Sequence, residues 1–228
     1  MTELRILPVE GLPEIAAGDD LGTLIVAALG DDGLGDRDVV VVAHKAVSKA
    51  EGRVVEAADR REAAARESVR VLRRQGDMVI SETRHGFVCA NAGVDASNVE
   101  GEKVVLLPLD PDLSARRLRA RIRALAGVDV AVVVADTFGR AWRLGQTNVA
   151  IGVAGIDPFV DLRGSTDSFG RQLQATRICV ADELAGAAEM VMGKTAGICA
   201  AVVRGAELAW GRGSATDIAR PWREDLFR

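Results

Sequence analysis

Two carboxylates carry most of the chemical information in this chain. Asp95 lies in Gly93-Val-Asp-Ala-Ser-Asn98, and Asp136 lies in Ala135-Asp-Thr-Phe-Gly-Arg140. Each follows an apolar, strand-like run, residues 86–94 for the first and 130–135 for the second. Each therefore stands where a buried strand surfaces, and carboxylates so placed are natural ligands for a hard divalent cation. A third stretch, Lys45-Ala-Val-Ser-Lys-Ala-Glu-Gly52, adds ammonium groups. Together the three point to metal-assisted chemistry on a phosphorylated substrate. A single Asp after a strand is more often a turn former or a helix cap. Here the neighbourhoods favour chemistry: 93–98 gathers several oxygen-bearing side chains, and Thr137 sets a hydroxyl beside Asp136. Arg140, Trp142, Arg143, Gln146 and Asn148 then supply donors for anionic or amide groups.

Other signals are weaker. Gly193-Lys194-Thr195 suggests a phosphate loop, but the required glycine is missing upstream and the segment reads as a helix running into Gly193. The phosphate loop is rejected, although Lys194 and Thr195 remain able to touch phosphate. Arg116, Arg117, Arg119, Arg121 and Arg123 read as the solvated face of a helix, with no interleaved aromatics to stack bases. A net charge of −4 also argues against a nucleic-acid binder. His44 closes a buried strand beside Lys45, and His85 falls in a turn expected to be exposed. Cys89, Cys179 and Cys199 lack metal or disulfide spacing and read as reduced, buried thiols. With no secretory leader and no apolar run of membrane-spanning length, a cytoplasmic protein is expected.

The elements that must hold these residues are mixed. Strands are expected at 5–9, Val39–Ala43, Met78–Thr83, 86–94, 104–108, 130–135 and 198–204. Asp19 is expected to cap a helix carrying Leu21, Leu24, Ile25 and Ala28, ended by a turn at 30–35. A long charged helix is expected over 57–75 with Ala65, Val69 and Leu72 as its apolar stripe. Helices at 114–126, with Leu118, Ile122 and Leu125 inward, and at 182–192, closed by Gly193, complete the set. The segment 161–173 reads as a long polar loop of the kind that carries function. The class is α+β, or mixed α/β. With 228 residues, one domain over 1–228 is expected, divisible into two subdomains.

An ordered series of stretches carries a family resemblance. They are Leu7-Pro-Val-Glu-Gly-Leu-Pro13, Gly18-Asp-Asp-Leu21, Val39–Ala43 leading to Val47-Ser-Lys-Ala-Glu-Gly-Arg53, 91–99, Leu107-Pro-Leu-Asp-Pro-Asp112, 135–139, 161–173, Val180-Ala-Asp-Glu183 and Val202-Val-Arg-Gly205. Each is weak alone, but the ordered set is specific. It resembles the coenzyme F420-0:L-glutamate ligases, the γ-glutamyl ligases of deazaflavin coenzyme F420 biosynthesis. The resemblance implies a GTP-dependent reaction. GTP phosphorylates the lactyl carboxylate of F420-0, and the amine of L-glutamate attacks the acyl phosphate. The products are F420-1, GDP and phosphate, with further γ-linked glutamates in some relatives. It also implies a fold of the family's own in an interlaced homodimer, with Mg2+ or Mn2+ and stimulation by K+.

By the same resemblance, Asp95, Asp136 and Thr137 are the metal ligands. Leu12, Pro13, Glu14, Ile15, His44, Lys45, Lys49 and Asn98 contact GTP, as do Met192, Gly193, Lys194, Thr195, Ala196, Gly197 and Ile198. Lys49, Arg140 and Asp136 are the expected catalytic residues. Arg140, Arg143, Asp161, Asp167 and Gly170 are expected to hold the F420-0 phosphodiester or glutamate. Two departures stand out: the 192–198 loop is about one residue shorter than in the relatives, and His44 stands where a small or polar residue is expected. No C-terminal flavin reductase-like domain, and so no FMN, is expected. Two other classes stay open. One is a ligase of this family acting on another carboxylate, and the other is a non-catalytic deazaflavin- or nucleotide-binding protein.

Overall fold

Val39, Val40, Val41 and Val42 present branched side chains to both faces of one strand, so both faces need apolar cover. The computed structural model provides it, and describes residues 3–30, 33–57 and 59–226. Met1, Thr2, Ala58 of the expected long helix, Asp31 and Asp32 of the expected 30–35 turn, Phe227 and Arg228 lie outside the described residues. In chain order the elements are β1 (Arg5–Pro8), α1 (Leu21–Leu29), β2 (Val39–Ala43), α2 (His44–Ala50), β3 (Val54–Glu56), α3 (Arg60–Glu67), β4 (Ser68–Gln75), β5 (Met78–Thr83), β6 (Val88–Ala90), β7 (Lys103–Val105), α4 (Pro111–Ala126), β8 (Ala131–Arg140), β9 (Arg143–Ala154), β10 (Phe159–Asp161), β11 (Arg177–Cys179), α5 (Val180–Met192) and β12 (Ala200–Arg204).

The class is mixed α/β. A five-stranded sheet runs β1-β12-β2-β8-β9. Only β2 and β8 are parallel, with Val39 opposite Ala131 and Ala43 opposite Ala135. Valines and alanines fill β2, β8 and β12, and nearly all are fully buried. Helices α4 and α5 both pack on β9, and α1 packs on α4. A smaller sheet, β4-β5-β6, lies beside them, with two-stranded pairs β3-β7 and β10-β11. A second apolar cluster of Ala63, Ala64, Val79, Val94, Val104 and Leu106 lies under α3 and the 91–94 turn. Among the described residues, no helix is long and apolar enough to cross a membrane.

Buried polar groups pin the framework. Asp38, 2% exposed, pairs with Arg204 at 2.7 Å. Asp112 accepts from Val153 N and Ala215 N, both at 2.8 Å, which fastens the C-terminal tail to the sheet. α4 approaches β9 so closely that a Cβ at Gly152 would sit 2.3 Å from Pro111 O.

Several expectations need correction. Asp20, not Asp19, caps α1 by accepting from Thr23 N at 3.0 Å; Asp19 instead accepts from Ala16 N. The expected 57–75 helix stops at Glu67, and 68–75 is strand β4, with Val69 70% exposed and Ala65 exposed. The apolar stripe is therefore absent. Leu125 is 40% exposed rather than inward. The 86–94 strand shortens to β6, followed by a turn at Asn91–Gly93. The 130–135 strand does not end before Asp136 but runs on to Arg140 and turns back as β9. His85 is half-buried, stacked on Phe87 with centroids 5.5 Å apart. The 161–173 loop is a closed turn between β10 and β11, bridged at Thr166 and Gln172.

Candidate active site

The two carboxylates converge on one dipeptide. Because β2 and β8 run parallel with Ala43 opposite Ala135, the next residues, His44 and Asp136, meet at the carboxyl ends of the strands. Ligands of such sheets bind in this crevice. His44 Nε2 lies 3.2 Å from Asp136 Oδ1, but its angle is not that of a hydrogen bond. His44 is 2% exposed, and neither ring nitrogen has a hydrogen-bond partner among the described residues. Lys45, the next residue, reaches the other carboxylate, with Nζ 2.7 Å from Asp95 Oδ2, and also donates to Ser97 Oγ. One turn further along α2, Lys49 pairs with Glu14 of the 12–15 loop.

Local backbone sets Asp95. Gly93 has φ 73, and a Cβ there would lie 2.7 Å from the Leu107 side chain, so only glycine fits. Asp95 then bridges Val105 through N–O contacts of 3.0 and 2.8 Å. Its Oδ1 accepts from Ser97 N at 2.7 Å. Burial pushes the Asp95 carboxyl up, but the Lys45 hydrogen bond, the Ser97 backbone N–H and the Lys45 charge outweigh it and bring it to about 2. Cys89 lies within electrostatic reach of Asp136, and burial, reinforced by that charge, pushes its thiol up to about 12. It is a packing residue, not a nucleophile. All three cysteines are free.

Thr137 faces the opposite way from Asp136, as alternation along a strand requires. Its hydroxyl donates to Asn148 Oδ1 at 2.6 Å and accepts from Lys194 Nζ. Asn148, 4% exposed, donates in turn to Glu189 Oε2 of α5 at 2.8 Å. Lys194 belongs to the exposed 193–197 segment after α5, which ends at Gly193 as the sequence suggested. Met192 differs from its neighbours: it is 2% exposed and belongs to the core.

The structure thus brings His44, Lys45, Asp95 and Asp136 together at the strand ends, with the Lys49–Glu14 pair one turn along α2, while Thr137 and Lys194 form a separate group with Asn148 and Glu189 on the opposite side of β8. Asn98 sits at the edge of the crevice, exposed, with φ 59. The remaining sequence candidates lie apart. Arg140 and Arg143 are exposed at the tip of the β8–β9 hairpin, with Arg140 about 13 Å along the strand from Asp136 at 3.3 Å per residue. Asp161 is held at about 2 by the Arg163 side chain first, then by the Arg163 backbone N–H and the charges of Arg163 and Arg177. Asp167 caps a local turn by accepting from Phe169 N and Arg171 N, and Gly170 closes that turn. Sequence reading missed Ser97 and Glu189 as members of the cluster. Glu189 could have been noticed as an acid on the helix that carries Leu184 and Ala188 inward.

Among the described residues, no group of three or more His, Cys, Asp and Glu side chains is arranged to hold a metal by itself. Two carboxylates nonetheless suit Mg2+ or Mn2+ of the kind that takes one or two carboxylates and fills its shell with substrate phosphate and water. Among the described residues neither His44 ring nitrogen beside Asp136 has a hydrogen-bond partner, which marks polar space of the kind such an ion needs.

An acid–lysine crevice at the carboxyl ends of a parallel strand pair defines an α/β protein built to receive charged ligands. The sequence profile of the F420-0:Gamma-glutamyl ligase family matches residues 11–205. Two similar proteins are named coenzyme F420:L-glutamate ligase. That of Methanothermobacter thermautotrophicus is 41% identical, over 99% of this chain and 99% of its own. That of Archaeoglobus fulgidus is 41% identical, over 99% of this chain and 96% of its own. The chain belongs to the F420-0:gamma-glutamyl ligase family.

Proposed function

We propose that the protein is a GTP-dependent ligase that joins L-glutamate to the lactyl carboxylate of coenzyme F420-0, giving F420-1, GDP and phosphate. The observation that carries this reading is the convergence of Asp95 and Asp136 on His44-Lys45, with Lys49 one turn further along the same helix. The names of the relatives supply the substrate pair.

Each residue has a task that follows from its chemistry. Lys45, Lys49 and Lys194 are point cations whose present partners are carboxylates or a hydroxyl, and they exchange these for GTP phosphate oxygens. The 12–15 loop and Asn98 border the nucleotide. Asp95 and Asp136 would hold a Mg2+ or Mn2+ ion, which would supply charge neutralisation at the transferring phosphate. Thr137, held by Asn148 and Lys194, fixes the backbone of β8 next to Asp136. A lactyl carboxylate oxygen attacks the γ-phosphorus, the bond to the bridging oxygen breaks, and GDP leaves. The glutamate amine then attacks the acyl carbon, loses a proton, and expels inorganic phosphate. Positioning and charge, rather than covalent help from the protein, supply the rate.

K+ stimulation, a cytoplasmic location and an interlaced homodimer belong to the same reading. The homodimer is favoured by Val69, Val71, Met78 and Val88, all exposed on the small sheet. The mechanism is tested with F420-0 labelled with oxygen-18 in its lactyl carboxylate. One labelled oxygen should appear in the released phosphate. Unlabelled phosphate, with glutamate still joined, would rule the acyl phosphate out.

A further inference from the structure

A second hollow lies beside the crevice, and nothing in the proposed chemistry above uses it. It is a cavity of about 270 Å³ lined by Phe87, Phe138, Val149, Ile218, Ala219 and Arg220. Strand register joins it to Asp136. Asp136 pairs with Val149 and Phe138 pairs with Thr147, so Asp136 and Phe138 project from the same side of β8, two residues apart. The strand above repeats the match: Phe87 packs edge-on against Phe138 at 6.4 Å, and Cys89 lies within electrostatic reach of Asp136. The hollow therefore continues the face on which the carboxylate stands.

Its outer wall is the C-terminal tail, and the tail is held in place. Ala215 N donates to buried Asp112, and Ser214 and Asp217 cap each other. Further along, Trp222 lies under the Arg70 guanidinium at 3.9 Å. The hollow is thus preformed, lying between the small sheet, β8–β9 and the tail. Its walls are mostly aromatic and aliphatic, with the Asp182 and Asp225 carboxylates also among them. Arg220 stands exposed at its mouth, with no hydrogen-bond or ion-pair partner among the described residues.

Resting on the ligase reading, the geometry points to this hollow as the seat of the acceptor. The planar deazaflavin ring lies against Phe87 and Phe138, and Arg220 meets the phosphodiester. That pose leaves the lactyl carboxylate directed along β8 to Asp136. The chemistry is the usual one for such a site: a flat apolar ring fills an aromatic-lined hollow, and one cation fixes its anionic tether.

The test is equilibrium binding followed by deazaflavin fluorescence, with F420-0 and with the ribityl deazaflavin that lacks the phosphodiester. Phe138→Ala should weaken both ligands at least tenfold while GTP affinity stays within twofold. Ala219→Trp, which fills the hollow from the tail, should do the same, and retained GTP binding reports that either variant is folded. Arg220→Ala should weaken F420-0 at least fivefold and leave the phosphate-free compound within twofold. Wild-type affinity for F420-0 in both Phe138→Ala and Ala219→Trp would overturn the assignment while leaving the ligase reading intact. Failure of the wild-type protein to bind F420-0 at all would instead remove the ligase reading, and this inference with it.

Discussion

Asp95 and Lys45 form the contact on which the crevice depends, and their electrostatics can be tested directly. The Asp95 carboxyl lies near 2 in the folded chain against an ordinary 3.8. Its pKa is depressed, so its contribution to stability is complete above about pH 4 and is lost as pH falls through about 2. Lys45→Met leaves burial opposed only by the Ser97 hydrogen bonds and so raises that carboxyl. The acid-unfolding midpoint should therefore move to higher pH, and phosphate-bearing ligands should bind at least tenfold more weakly. An unchanged midpoint in circular dichroism would show that the pair is not made. At this scale the sequence was informative about charged residues and much less so about their partners. Asp95, Asp136, Lys45 and Lys49 stood out because other oxygen-bearing and cationic side chains cluster around them in sequence, where a lone Asp after a strand would read as a turn former. Ser97 and Glu189 were not, since an ordinary serine and a helix-borne glutamate acquire a role only through three-dimensional neighbours. Arg140 and Arg143 are rich donors close in sequence to Asp136, but an extended hairpin carries them away from it.

Elements were legible where one period dominated. The four valines of β2 admit only a buried strand, and the Leu118–Ile122 spacing of α4 only a helix. The segment 57–75 defeated that logic. Ala65, Val69 and Leu72 are spaced as on a helix, but Val69 and Val71 alternate as on a strand, and sheet pairing with β5 decided the matter beyond Glu67. β9 was hidden by its glycines and polar residues, although it is the longest strand. One of those glycines lets the sheet and α4 meet. Gly152→Ala drives a methyl against Pro111 O, an overpacking cost of about 1–3 kcal/mol. A fall in Tm of roughly 2–12 °C is expected for a chain of this size, measured by calorimetry. A Tm equal to the parent's would mean that α4 is less tightly seated than the 2.3 Å approach requires.

At the scale of the molecule, one sheet places the charged crevice, and the tail and small sheet build the neighbouring hollow. The exposed apolar residues of the small sheet call for a partner, and a second copy is the occupant expected of an interlaced dimer. Light scattering should therefore return about twice the 24.1 kDa of one chain. A mass of one chain at micromolar concentration would contradict the dimer without touching the site. The substrate came from resemblance alone, because periodicity and composition stop at a mixed α/β protein with a candidate cation site. The most direct measurement is to incubate the purified protein with F420-0, L-glutamate, GTP and Mn2+ and follow the deazaflavin by liquid chromatography and mass spectrometry. A mass gain of one or more glutamyl units is expected, with one GDP released per unit, and both should disappear in Asp136→Asn. An unaltered deazaflavin in the presence of bound GTP, or undiminished turnover in Asp136→Asn, would contradict the account.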